Sequence, residues 1–151
     1  MTYLAALLVS RDPDDKEHAC LASASAAQDS PENREAFFTH GISQQVLQVL
    51  QETCRQQMPR QRLQRVAVMA MSELAQDYEP FKDAIRVAGG IKDLCALLSP
   101  SHDPFVIKET LSLIGRITQA RFARTPCHPQ RPNPAGPQPP ARSLVRTRSL
   151  L

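Results

Sequence analysis

The sequence predicts an all-α fold of stacked helices, an α-solenoid, and three observations carry that prediction. The segments HACLASASAAQD (His18 to Asp29), VAVMAMSELAQD (Val66 to Asp77) and ETLSLIGRITQ (Glu109 to Gln119) share one apolar helical spacing. They close on Gln28, Gln76 and Gln119, at intervals of 48 and 43 residues. A second motif recurs between them: PENREAFFTHGI and PFKDAIRVAGGI superimpose at an offset of 49, Pro31 on Pro80 and Gly41-Ile42 on Gly90-Ile91. Asp-Pro pairs, Asp12-Pro13 and Asp103-Pro104, stand ahead of two of the three long segments. There Asp can cap a helix and Pro fits its first turn.

The elements follow in order. Leu4 to Val9 reads as an apolar helix fragment, broken at Asp12-Pro13 and followed by a long helix over about 14–28. A short helix over 32–39 ends at Gly41, a residue suited to the left-handed conformation that stops a helix. The next helix, about 42–54, buries Ile42, Val46, Leu47, Val49 and Leu50 at helical spacing. The unit then repeats as a long helix 60–76, a short helix 80–88, the Gly89-Gly90 stop, a helix 91–98 and a last long helix 104–119.

Composition narrows the class. A chain of 151 residues holds one domain, and with no Trp and seven aromatic residues its core must be aliphatic. Cys20, Cys54, Cys95 and Cys127 lack short ligand spacing, and three of them fall in apolar helical pattern. They are expected to be buried thiols of a reduced, cytoplasmic compartment. The apolar opening MTYLAALLVS is short, has no basic flank and meets Arg11, Asp12, Asp14 and Asp15 at once, so neither a signal peptide nor a membrane span is expected.

The chain changes character near residue 120. Residues 1–119 hold all fifteen acidic side chains against twelve Lys and Arg, a formal charge of −3. Residues 120–151 hold six arginines, no acid and seven of the thirteen prolines. The expected division is therefore a helical solenoid fragment over 1–119 and a disordered, basic, Pro-rich tail with polyproline II character over 120–151.

The helical part resembles armadillo repeats, whose unit is a short first helix, a glycine turn, a second helix of GxIxxLxxLL type and a long third helix of AxWALSNLA type. GGIKDLCALL (Gly89 to Leu98) matches the second helix and AVMAMSELA (Ala67 to Ala75) the third. HEAT repeats are the nearest competitor but lack the short helix and glycine turn. The resemblance covers residues 1–119 and implies about two to three repeats, with a concave groove lined by third helices that binds a peptide or partner domain. The family's Trp and Asn clamp falls here on Leu21 and Ser25, Met69 and Glu73, and Ser112 and Arg116. None of these pairs is retained, which argues against an import-receptor mode of binding. One turn on either side, the same face adds Glu17 and Gln28, Arg65 and Gln76, Lys108 and Gln119. Arg65, Lys108 and Arg116 outweigh Glu17 and Glu73, so a partner of acidic character is expected; the alternative is that these are solvated faces of amphipathic helices.

Other signals are weaker. The connection before the middle long helix is longer than its predecessor and carries Arg55, Arg60, Arg62 and Arg65, a cluster able to hold an acidic peptide or phosphate, or simply to solubilise the loop. The tail matches PxxPxR twice, at Pro126, Pro129 and Arg131 and at Pro137, Pro140 and Arg142, a spacing that suits SH3 grooves. Arg146 before Ser149 allows basophilic phosphorylation. No phosphate loop, metal-ligand spacing or activated nucleophile is recognisable, so no enzymatic activity, cofactor or metal is expected. The acidic helical part and its lack of interleaved aromatics argue against nucleic acid.

A solenoid needs caps. This sequence starts within a second helix and places no further repeat over its last one, which suggests a truncated or alternatively spliced form of a longer armadillo protein. Apolar residues such as Leu4, Leu7, Leu8, Leu111 and Ile114 are expected to be exposed, with self-association through the open ends. The functional expectation is a non-enzymatic scaffold or adaptor of armadillo type; within that class the rival is an adaptor of cell polarity or spindle orientation. The alternative is an SH3-recruited regulatory fragment whose tail carries the binding.

Overall fold

The computed structural model describes the backbone of residues 2–56 and 60–123, and side chains within those ranges up to residue 119. Among the described residues the chain is helical with no strand. Its helices are α1 (Thr2–Val9), α2 (Pro13–Ala27), α3 (Pro31–Thr39), α4 (Ile42–Arg55), α5 (Gln61–Ala75), α6 (Glu79–Val87), α7 (Gly90–Ala96) and α8 (Pro104–Ala123). The tail motifs at Pro126, Pro129, Arg131, Pro137, Pro140 and Arg142 lie outside the described residues.

Capping explains where the helices start. The Asp12 carboxylate accepts the Asp14 amide at 2.9 Å with Pro13 in the first turn, and the Asp103 carboxylate accepts the Phe105 amide at 2.8 Å ahead of α8. The Ser30 hydroxyl does the same for α3, accepting from the Asn33 amide at 3.3 Å. Each fills an orphan donor of the first turn, where a cap contributes about 1 kcal/mol.

Two left-handed residues bend the chain in each unit. Gly41 (φ 76) and Gly89 (φ 72) precede α4 and α7, while Asp29 (φ 55) and Asp77 (φ 52) follow α2 and α5. This corrects the register of the second motif. Gly41 is equivalent to Gly89, so the offset is 48, the same as that between the first two long helices, and Gly90 occupies the place of Ile42. The reason is steric. A Cβ on Gly90 would lie 2.9 Å from Ile85 Cγ2, 3.1 Å from the Ile85 carbonyl oxygen and 3.2 Å from Leu47 Cδ1. The paired Gly-Ile dipeptides suggest the wrong register because the sequence does not reveal which of two adjacent glycines turns the chain.

The helices pack in two rows. In one, α1 lies on α4 and α4 on α7; in the other, α2 lies on α5 and α5 on α8, and α5 also rests on α4. The α2 and α5 contact is the most extensive. Buried residues of these helices include Ala19, Ser23, Ala24 and Ala27 of α2 and Ala67, Ala70, Ser72 and Ala75 of α5, small side chains that allow neighbouring helices to approach closely. Between the rows lies an aliphatic core. Ile42, Val46, Leu47, Val49 and Leu50 of α4 are all buried, as are Met71, Leu74, Ile85, Leu94, Leu113 and Ile117. Burying one such side chain contributes roughly 1.5–3 kcal/mol.

Polar side chains also tie helices to one another. Arg34, 5% exposed, donates Nε–H to the Ala27 carbonyl at 3.0 Å, and the Asn33 amide donates to the Ala26 carbonyl at 2.7 Å, so α3 satisfies the C-terminus of α2. The Gln51 amide donates to the Asp93 carboxylate at 2.8 Å between α4 and α7. The Arg86 guanidinium donates to the Ile117 carbonyl at 2.5 Å between α6 and α8.

Exposure differs in part from expectation. Leu8 is 2% exposed, packed into the core instead of lying open, and Leu4, Leu7 and Ile114 are half-buried. Leu111 is 55% exposed, and Tyr3 and Val9 are also open. Of the thiols, Cys20 is buried, Cys54 half-buried and Cys95 exposed, the last on the outer side of α7 where helical spacing alone suggested the core. Burial pushes the Cys20 thiol up to about 12 and the Cys54 thiol up to about 11. No described helix is long and apolar enough to cross a membrane.

Candidate functional site

The outer strips of α2, α5 and α8 lie side by side because α5 packs between the other two. Once α5 turns Leu63, Ala67, Val68, Ala70, Met71, Leu74 and Ala75 inward, helical periodicity leaves Arg62, Arg65, Met69, Glu73 and Gln76 reaching outward. Of the other residues singled out in the sequence, Leu21, Ser25 and Gln28 are exposed on α2, and Lys108, Ser112 and Gln119 on α8. Met69, Glu73, Gln76 and Arg116 are half-buried.

Two of these residues serve the packing. Glu17 is buried, and its carboxylate meets Arg62 Nε at 2.5 Å. Arg116 reaches back across the α5 and α8 contact, donating from Nη1 to the Ser72 carbonyl and hydroxyl, each at 3.1 Å. A buried helix carbonyl that gains a charged donor in this way ties the two helices at a defined register.

The arginine cluster also has structural partners. Arg60 pairs with Asp14 at 2.5 Å, Arg62 with Glu17, and Arg65 with Asp103 at 3.7 Å, while the Arg65 guanidinium lies over the Phe105 ring, 4.6 Å from its centroid. Three cations at the start of α5 thus reach acids on both neighbouring helices. Sequence spacing grouped these arginines, but their acids are remote in the chain and only the helix order brings them together. Phe105 escaped notice because a lone aromatic one residue after a proline carries no periodic signal.

Beside this ladder, Arg62, Arg65, Val66, Met69 and Phe105 line a cleft of about 290 Å³ between α5 and α8. A second cleft of about 300 Å³ opens between α2 and α4, with Arg11, Lys16, Glu52 and Arg60 around it; there Lys16 pairs with Glu52 at 2.5 Å. Among the described residues no group of three or more His, Cys, Asp or Glu is placed to hold a metal ion.

No family model and no curated protein matches the chain. Two crystal structures of engineered proteins, targets of the Northeast Structural Genomics Consortium, are similar to it at 24% sequence identity, with TM-scores of 0.62 and 0.63. Each match covers 78% of this chain, which spans 49% of one engineered protein and 29% of the other. These likenesses bear on the fold alone, which is all-α among the described residues.

Proposed function

We propose that the chain is a non-enzymatic interaction scaffold of armadillo type, binding a peptide or partner segment across the outer strips of α2, α5 and α8. The observation that supports this most is the unbroken row of those three helices, which sets Leu21, Ser25, Met69, Glu73, Lys108 and Ser112 on neighbouring strips. Left-handed glycines before α4 and α7, and a short helix before each, fit the armadillo unit. The partner has acidic character, with exposed Lys108 and the outward Arg62 and Arg65 meeting its carboxylates. The setting is the cytoplasm, and a role in cell polarity or spindle orientation is the biological context proposed.

Display selection of random peptides against the full chain tests the reading, followed by competition with Leu21→Arg and Ser112→Arg variants. Enriched peptides that lose binding in both variants support it. Peptides indifferent to both, or no enrichment, overturn it.

A further inference from the structure

The cleft between α5 and α8 combines two properties. Val66, Met69 and Phe105 supply apolar wall, and Arg62 and Arg65 stand at its edge. The ion pairs there are polarised from inside to outside: Glu17 and Asp103 are 10% and 25% exposed, whereas their partners Arg62 and Arg65 are 80% and 48% exposed. Carboxylates thus lie beneath guanidiniums, and each guanidinium has five N–H donors, more than its ion pair uses. Lys108, one turn beyond Phe105, is also exposed.

Volume selects the size of the occupant. Small-molecule pockets run to roughly 300–1,000 Å³ and enclose most of their ligand, so an open cleft of about 290 Å³ suits one large side chain of a longer segment. Met69 adapts such a wall to different apolar shapes. Charge favours an acidic occupant over residues 120–151, which carry six arginines and no acid, because the paired guanidiniums keep donors free for further carboxylates and none for cations.

We propose that this cleft is an anchor subsite for a partner segment in which one large apolar side chain is flanked by Asp or Glu. The apolar group enters against Val66, Met69 and Phe105, and the neighbouring carboxylates bridge to Arg62 and Arg65. The assignment rests on the scaffold reading and adds to it the position and chemistry of one anchor.

The test uses the full chain labelled at its methionine methyl groups and a synthetic peptide with Leu between glutamates. Met69 lines the cleft while Met71 is wholly buried, so the pair supplies a probe and its control. Saturable shifts of the Met69 methyl with Met71 unmoved are expected. Replacing the peptide Leu by Ser, or Met69 by Glu or by Gln, should weaken binding by at least about tenfold. Lysines in place of the glutamates should abolish it, and Arg65→Gln should weaken it and flatten its salt dependence. No saturable binding, an unmoved Met69 methyl, or equal affinity for the Lys-flanked peptide overturns the proposal. A Met69 methyl displaced without peptide by Arg131→Glu and Arg142→Glu would identify the chain's own tail as occupant, which also overturns it. Display-selected peptides sensitive to Leu21→Arg and Ser112→Arg but not to Met69→Glu would leave the scaffold standing and remove this subsite.

Discussion

Two glycines at helical positions should respond oppositely to alanine. Gly90 opens α7, and its missing Cβ leaves room for Ile85 and Leu47, with distances of 2.9 Å to Cγ2 and 3.1 Å to the carbonyl oxygen of Ile85. Ile85 is fully buried and β-branched, so it cannot swing aside cheaply, and its carbonyl belongs to α6. Overpacking of this kind costs about 1–3 kcal/mol, and the better helix propensity of Ala returns at most about 1 kcal/mol. Gly90→Ala is therefore expected to destabilise by about 1–2 kcal/mol. Gly115 lies in the middle of α8, and a Cβ there would meet nothing within 4 Å. Gly115→Ala should stabilise by about 0.5–1 kcal/mol. Urea denaturation of the full chain reads both as shifts of midpoint at constant slope. A third variant separates sterics from backbone strain: Gly89 is left-handed with open space, so Gly89→Asn should cost less than Gly89→Ala, whereas Gly90→Asn should be no better than Gly90→Ala. Gly90→Ala as stable as the parent chain would refute the close packing of α6 against α7 and with it the 48-residue register.

Three further outcomes are expected. In the arginine ladder, Arg60→Gln removes a pair exposed on both sides and should cost under about 1 kcal/mol, whereas Arg62→Gln strands the mostly buried Glu17 and should cost about 1–3 kcal/mol, read by denaturation. Arg34→Met should lose about 0.5–1.5 kcal/mol by removing the charged donor from the Ala27 carbonyl, which keeps the longer bond from the Ser30 amide, an effect that thermal unfolding would register. For the thiols, alkylation followed by mass spectrometry should find Cys95 reacting ahead of Cys20. The unfolded Cys20 thiol ionises near 9.0 but the folded one holds its proton up to about 12, so its stabilisation is full below pH 9 and is lost as pH rises toward 12. Cys20→Ala should flatten that alkaline loss.

Local chemistry made most of the helices legible. Asp12-Pro13, Asp103-Pro104, Gly41 and the buried stripe of α4 act within a few residues of themselves, and the structure places their helices within a few residues of expectation. The long helix α8 runs to Ala123. What escaped were pairings set by helix order. Glu17 reads as an outward charge until Arg62 is laid over it, and Arg116 reads as a groove cation until Ser72 is found beneath it. Cys95 follows an apolar pattern yet lies on the open side of α7, because that helix is short and covered on one side. The cleft could not be anticipated, since its walls come from two helices whose contact follows from packing and not from spacing.

The position of α5, flanked by α2 and α8 and seated on α4, has a dynamic consequence. Opening it requires breaking contacts on three sides, while among the described residues α1 and α8 each have a neighbour on one side of their row. Amide hydrogens of α5 should therefore exchange with solvent only through near-global unfolding, and those of α1 and α8 through smaller fluctuations. A ligand seated along α5 would rest on a helix braced from three sides, so little conformational freedom would be lost on capture.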